Sequence, residues 1–374
     1  MKVLFPVIMF SLIMAYISER RSVYEIDEYA SKKYIFKEKL FWFLMAVGMA
    51  VFCGLRLKGN DTGLYRNLYM ELQPGVFNID WRALSGAPGF TFFGVILRTL
   101  GVSVQDYLMI ESLFVVIVYL WFVRKYTTEL WLSAYYFITT GVYTFAFAAI
   151  KQTMAVAFLL IATDRAINKK YISFVLWVLI AELFHPYAFV YLIVPFLFFE
   201  PWTKRTYAIL GGTVIVSMML STIVARILVM TESIGYQYTE GSFTGEGVNV
   251  FRVLVVWVPT FLSFLLRNQM KGNIGRADQV IINASMINSV IMFIGLFGTA
   301  NYFARLANYF LIFQVLSLPL LFQFMGIRNR QVLKGISVVM YFAYFYYATD
   351  LAHGAFGETY KFMGFMEYLG QLFL

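Results

Sequence analysis

The sequence predicts an all-α, polytopic membrane protein. Hydrophobic residues make up 60% of its 374 positions and charged residues 14%, against about 25% charged in a soluble domain. Mean hydropathy is +0.71. Apolar runs of membrane-spanning length recur from end to end, and they are continuous rather than alternating, which argues against spanning strands.

Twelve windows read as membrane-inserted helices: 2–18, 39–55, 105–123, 131–149, 152–168, 171–184, 187–199, 206–229, 251–267, 278–298, 302–324 and 332–350. The first lacks a small-residue cleavage site and is followed by Glu19-Arg20-Arg21, so it reads as a helix rather than a leader. The whole chain, 1–374, reads as a single integral membrane domain.

Basic loops set the orientation. The loop 19–39 carries Arg20, Arg21, Lys32, Lys33, Lys37 and Lys39. Further basic loops hold Arg124-Lys125, Arg165 with Lys169-Lys170, Lys204-Arg205, Arg267 with Lys271 and Arg276, and Arg328 with Arg330 and Lys334. Placing all of them on the cytoplasmic side puts both termini outside. It also leaves two outer loops, 56–104 and 230–250. The segment 89–101 is too short to cross and carries Arg98, so it is expected as an outer interfacial helix. The run 171–199 must turn outside at His185-Pro186, where proline disfavours helical geometry in the preceding residue.

Several basic residues then break the bias: Lys2, Arg56, Lys58, Arg66, Arg82, Arg98, Lys151, Arg226, Arg252, Arg305 and Lys361. Charges at or inside helix ends are costly and call for a partner or an anionic ligand. In GLRLKGNDTGLYRNLY (54–69), Arg56, Lys58 and Asp61 form either a solvated loop with an Arg–Asp pair or a phosphate-binding wall that glycines let a ligand approach. Asn60-Asp61-Thr62 also matches a glycosylation sequon, a pattern common by chance. Lys151 is either a snorkelling turn lysine or a cation aimed into an outer cavity. Glu182 and His185 share a helix face. Either Glu182 packs on a basic group while His185 caps the broken helix, or Glu182 orients His185 as a general base. Asn301, Arg305, Asn308 and Tyr309 give one polar face in TANYFARLANYF, for helix packing or for a polar cavity. Arg252 opens its helix after the second outer loop.

No HExxH, CxxC or DxD spacing suggests a metal site, and no cofactor is expected. One cysteine, Cys53, allows no internal disulfide. GSFTGEG (241–247) follows a membrane helix and reads as a loop. The net charge of +9 is explained by orientation rather than by nucleic acid. At least four segments bring cationic or proton-transferring groups to the outer face, where an anionic lipid headgroup is the natural ligand.

These residues resemble the EpsG/Wzy-type polysaccharide polymerases. GLRLKGNDTGLYRNLY looks like that family's LR-G-D-Y signature, and GAPGFTFFGVILRTLG resembles its E-P-G-F segment. IKQTMAVAFLLIA is similar to its R-Q element, AELFHPYAFVYLIVPF to its F-H element, and ARLANYF to its late R-Y element. The matches run in order from about 54 to 310. Two positions depart: Lys151 replaces the usual Arg, and Ala87 replaces the usual Glu. The resemblance implies a GT-C-like polymerase architecture and a metal-independent reaction at the outer face of a bacterial cytoplasmic membrane. There, lipid-linked oligosaccharide repeats (O-antigen, capsule or exopolysaccharide) would be polymerised with loss of polyprenyl pyrophosphate. Implied partners are polyprenyl-pyrophosphate-linked oligosaccharides, the bilayer and a chain-length regulator. On this reading Arg56, Lys58, Lys151, Arg252, Arg305 and Tyr309 bind substrate. His185 is the base with Glu182 as its partner, and Asp61 is an alternative base or a partner of Arg56. A ligase-like glycan transferase and a flippase of lipid-linked sugars are the rival readings.

Overall fold

The computed structural model describes residues 2–26, 32–79, 86–215, 219, 247–297, 300–352 and 356–372. Arg82, Arg226, His353, most of the 230–250 loop and of GSFTGEG, and the side chain of Asn301 lie outside the described residues.

The chain is mostly helical. Helix α1 (Phe5–Arg21) leads into a hairpin of β1 (Val23–Ile26) and β2 (Lys32–Phe36). Helix α2 (Leu40–Gly54) ends at a short strand, β3 (Arg56–Lys58), followed by α3 (Thr62–Glu71) and α4 (Pro88–Thr99). The segment expected to lie at the interface is this α4, which starts on proline, whose fixed φ suits a first helical turn. Ser103 caps α5 (Val104–Tyr126) by accepting from the Asp106 backbone.

The window 131–149 is not one helix. It splits into α6 (Leu130–Thr139) and α7 (Val142–Phe145) at Gly141, whose φ of 89° lies in the left-handed region where a Cβ is costly. After α8 (Ile150–Ile167), the run 171–199 breaks where expected: α9 (Tyr171–Glu182) stops short of His185. The second half, Ala188–Leu197, is a 3-10 helix that contains Pro195, which has no N–H to donate. Then come α10 (204–215), α11 (Val250–Leu265), α12 (Arg267–Met270) and α13 (Arg276–Ile294). The window 302–324 becomes α14 (Ala300–Asn308) and α15 (Leu311–Phe322), bent by 53° at the break. Helix α16 (Ile327–Tyr346), α17 (Phe356–Thr359), β4 (Lys361–Phe362) and α18 (Phe365–Leu372) complete the chain.

Among the described residues, α5 and α13 are long and apolar enough to cross a membrane, and α14 with α15 adds a third if the bent pair is one span. About twelve membrane helices are therefore not shown. Breaks at Gly141, His185 and Asn308 shorten several windows, and Lys151, Asp164 and Arg165 add charge to α8.

Packing joins α1 to α2, α2 to α5, α5 to α8, α8 to α9, and α13 to both α11 and α15. The basic loops meet at one end of this bundle. Lys37 donates to the carbonyls of Arg124 (2.6 Å) and Thr127 (3.1 Å). Lys125 pairs with Asp164 and Lys334 with Glu129. Arg276 donates to the Ile167 carbonyl at 3.0 Å. Helices α2, α5 and α8 run between this end and the opposite one, where β3, α3, α4 and the start of α8 lie.

Candidate functional site

At that opposite end, five segments converge. Gly89 at the start of α4 donates its backbone N–H to the Leu183 carbonyl (2.8 Å). The approach is close enough that a Cβ on Gly89 would stand 2.7 Å from Leu183 Cβ, so only glycine fits. This docks α4 on the chain just before His185. Phe90 then lies under Lys151, whose ammonium is 5.3 Å from the ring centroid. From α3, Tyr65 faces the backbone amide of Lys151 and feels the charges of Asp61 and Arg305. Burial first, and then the Asp61 charge, push its hydroxyl up to about 12, so Tyr65 stays protonated.

His185 is buried, and its Nδ1 is 2.6 Å from the Tyr309 hydroxyl. Arg305 and Lys151 both lie within electrostatic reach of its ring. Tyr187 and Tyr309 stack edge-on against the imidazole. Arg305 is exposed, and Lys151 is half-buried. Neither has a carboxylate partner among the described residues. Gln152 Nε2 donates to the Arg305 carbonyl at 2.5 Å and so ties the start of α8 to α14. Its Oε1 is buried with no partner among the described residues.

Other sequence-predicted residues fall elsewhere. Arg56 is fully buried: Nη2 meets Glu111 Oε2 at 2.7 Å, while Nη1 donates to Ser112 Oγ (2.6 Å) and the Cys53 carbonyl (2.8 Å). Its counter-ion is thus Glu111 and not Asp61. Glu182 accepts from the Phe189 backbone at 3.2 Å and caps the 3-10 helix, while the hydrogen bond of His185 goes to Tyr309 instead. Lys58 is exposed and stands across from Lys361 in the β3–β4 pair. Arg252 donates to Asn308 Oδ1 at 2.9 Å. Asp61 is half-buried at the head of α3.

Sequence reasoning missed Glu111, Tyr65, Phe90 and the C-terminal segment. Glu111 carried a usable signal, because a carboxylate inside the apolar run YLMIESLF demands a partner. The C-terminal segment did not. Yet Met363 donates to the Leu55 carbonyl (2.8 Å) and the Tyr360 hydroxyl accepts from Asn60 (2.8 Å), which secures the loop that carries Asp61. No group of three or more His, Cys, Asp or Glu side chains suited to a metal occurs among the described residues.

Arranged this way, the site offers two cations without counter-ions among the described residues, beside a histidine that is held by a tyrosine. It can bind an anion and accept a proton. No curated protein and no solved structure matches the chain. The EpsG family model matches residues 39–363, from the head of α2 to β4, and so takes in every residue of this convergence. The match makes this a membrane-associated protein of polysaccharide biosynthesis, with a polymerase-like role: the chain belongs to the EpsG family.

Proposed function

We propose that the protein is a membrane glycosyltransferase that polymerises polyprenyl-pyrophosphate-linked oligosaccharide repeats at the outer face of a bacterial cytoplasmic membrane. About twelve membrane-inserted helices in a GT-C-like arrangement, some of them half-length, would carry the site. One observation supports this reading above all. Among the described residues, Lys151 is half-buried without a carboxylate partner, and Arg305, a second cation with none, also acts on the His185 ring. A charge so placed is expensive unless an anion meets it.

In the proposed reaction, Lys151 and Arg305 hold the diphosphate of the donor. A hydroxyl of the incoming lipid-linked unit attacks the anomeric carbon, and its proton passes to His185 Nε2. The bond from that carbon to the diphosphate oxygen breaks, and polyprenyl pyrophosphate leaves with the electron pair. The two cations stabilise the charge that grows on it. The base role requires the tautomer in which Nδ1–H donates to the Tyr309 oxygen and leaves Nε2 with a free lone pair. Asp61 is the second candidate base. Arg56 is assigned to holding the α2–β3 corner rather than to the diphosphate, Glu182 to capping the half-helix, and Lys58 to the rim. Partners are the lipid-linked oligosaccharides, the bilayer and a chain-length regulator protein.

The test is reconstitution with a polyprenyl-pyrophosphate-linked repeat unit in the presence of a metal chelator. A ladder of longer lipid-linked glycans is the expected result. A single addition would replace polymerisation with ligation, and the absence of any transfer would sink the enzymatic reading.

A further inference from the structure

A second space adjoins the convergence and is separate from it. The cavity beside Arg252 measures about 330 Å³, at the lower end of the roughly 300–1,000 Å³ of ligand sites. Two of its lining residues are tied to groups next to the convergence. Asn60 in its wall precedes Asp61, and Arg252 donates at 2.9 Å to Oδ1 of Asn308, the residue before Tyr309 in the chain. The rest of the wall comes from the α6–α7 turn, the end of α16 and the C-terminal segment.

The chemistry of the lining is specific. Among the described residues, Arg252 is the only charged side chain of the lining, and no Asp or Glu belongs to it. Three tyrosines, Tyr344, Tyr347 and Tyr360, offer rings and hydroxyls. Two of those hydroxyls are fixed by amides: Asn249 donates to Tyr347 at 3.1 Å and Asn60 to Tyr360 at 2.8 Å. A phenol that accepts in this way keeps its own O–H to donate. Aromatic faces with positioned amides and hydroxyls suit a sugar ring. A neutral sugar has no need of an arginine beside it, whereas a carboxylate on the sugar matches the guanidinium fork.

We propose that this cavity is the subsite for a sugar next to the reacting one, and that it takes an acidic sugar, a hexose bearing a carboxylate, with the carboxylate on Arg252. The proposal rests on the Lys151–His185–Arg305 convergence being the transfer centre. It makes the polysaccharide an acidic one.

Full-length protein in detergent is titrated with methyl glucuronide and with methyl glucoside by saturation-transfer NMR. The glucuronide is expected to bind about tenfold more tightly, the usual scale for one hydrogen bond to a charged group. Arg252→Gln brings it down to the glucoside level, and Arg252→Lys keeps part of the difference. Equal binding of the two sugars by the wild type overturns the proposal, as does a preference that survives Arg252→Gln. Displacement of the glucuronide by geranyl diphosphate also overturns it, because the cavity would then belong to the diphosphate. The wild-type arms decide the matter even if a variant fails to fold. Geranyl diphosphate binding by itself, weakened in Lys151→Gln and Arg305→Gln, reports on the transfer centre. Its absence refutes that reading while leaving the glucuronide result to be judged alone.

Discussion

The Tyr309 hydroxyl stands 2.6 Å from Nδ1 of His185, joining the turn between α14 and α15 to the break after α9 across 124 residues of sequence. The contact selects which ring nitrogen is engaged and which is left to exchange a proton.

Tyr309→Phe removes that contact while keeping the ring. Polymerisation by membranes carrying the variant is expected to fall roughly tenfold, the scale of one hydrogen bond in a barrier. His185→Gln is expected to abolish it. Unchanged chain length in both, with normal protein levels in the membrane, would remove His185 from the reaction.

Lys151 and Arg305 differ in what a substitution should do. Lys151→Arg keeps the charge and is expected to retain polymerisation, whereas Lys151→Gln and Arg305→Gln each weaken diphosphate binding by about tenfold. Titration with geranyl diphosphate reads this directly, and an affinity untouched by either Gln variant would contradict the assignment.

Arg56 and Glu111 form a buried pair with both side chains at most 1% exposed. Removing one partner strands the other charge, so Arg56→Met or Glu111→Leu alone is expected to cost about 3–5 kcal/mol. The double variant should recover most of that loss. Thermal unfolding in detergent measures the cycle. Single variants that stay fully stable and lose only substrate binding would return Arg56 to the site.

Gly89→Val places a branched side chain where even a Cβ would meet Leu183 Cβ at 2.7 Å. The start of α4 must then lift away from Leu183, carrying Phe90 from beneath Lys151. Activity should fall with little change in overall helix content by circular dichroism. Full activity would show that α4 docking is dispensable.

Hydropathy is a property of each segment taken alone, so the helical membrane class could be read directly from the runs of apolar residues. The grouping of basic loops could be read in the same way: Lys37, Lys125, Arg276 and Lys334 do meet at one end. The break before Pro186 was equally local, because proline constrains only its neighbour. What lay beyond reach were the partners. Arg56 meets Glu111 rather than nearby Asp61, and His185 meets Tyr309 rather than Glu182, although in each pair the sequence neighbour was the simpler choice. Strand β4 lies on β3 although some 300 residues separate Asn60 from Tyr360. The sequence by itself determined the class, the ends of many helices and the identity of the costly charges. Only the tertiary structure decided which of those charges are neutralised. A buried charge takes whichever counter-ion the packing of distant helices brings to it, and that distance has no signature in a local window.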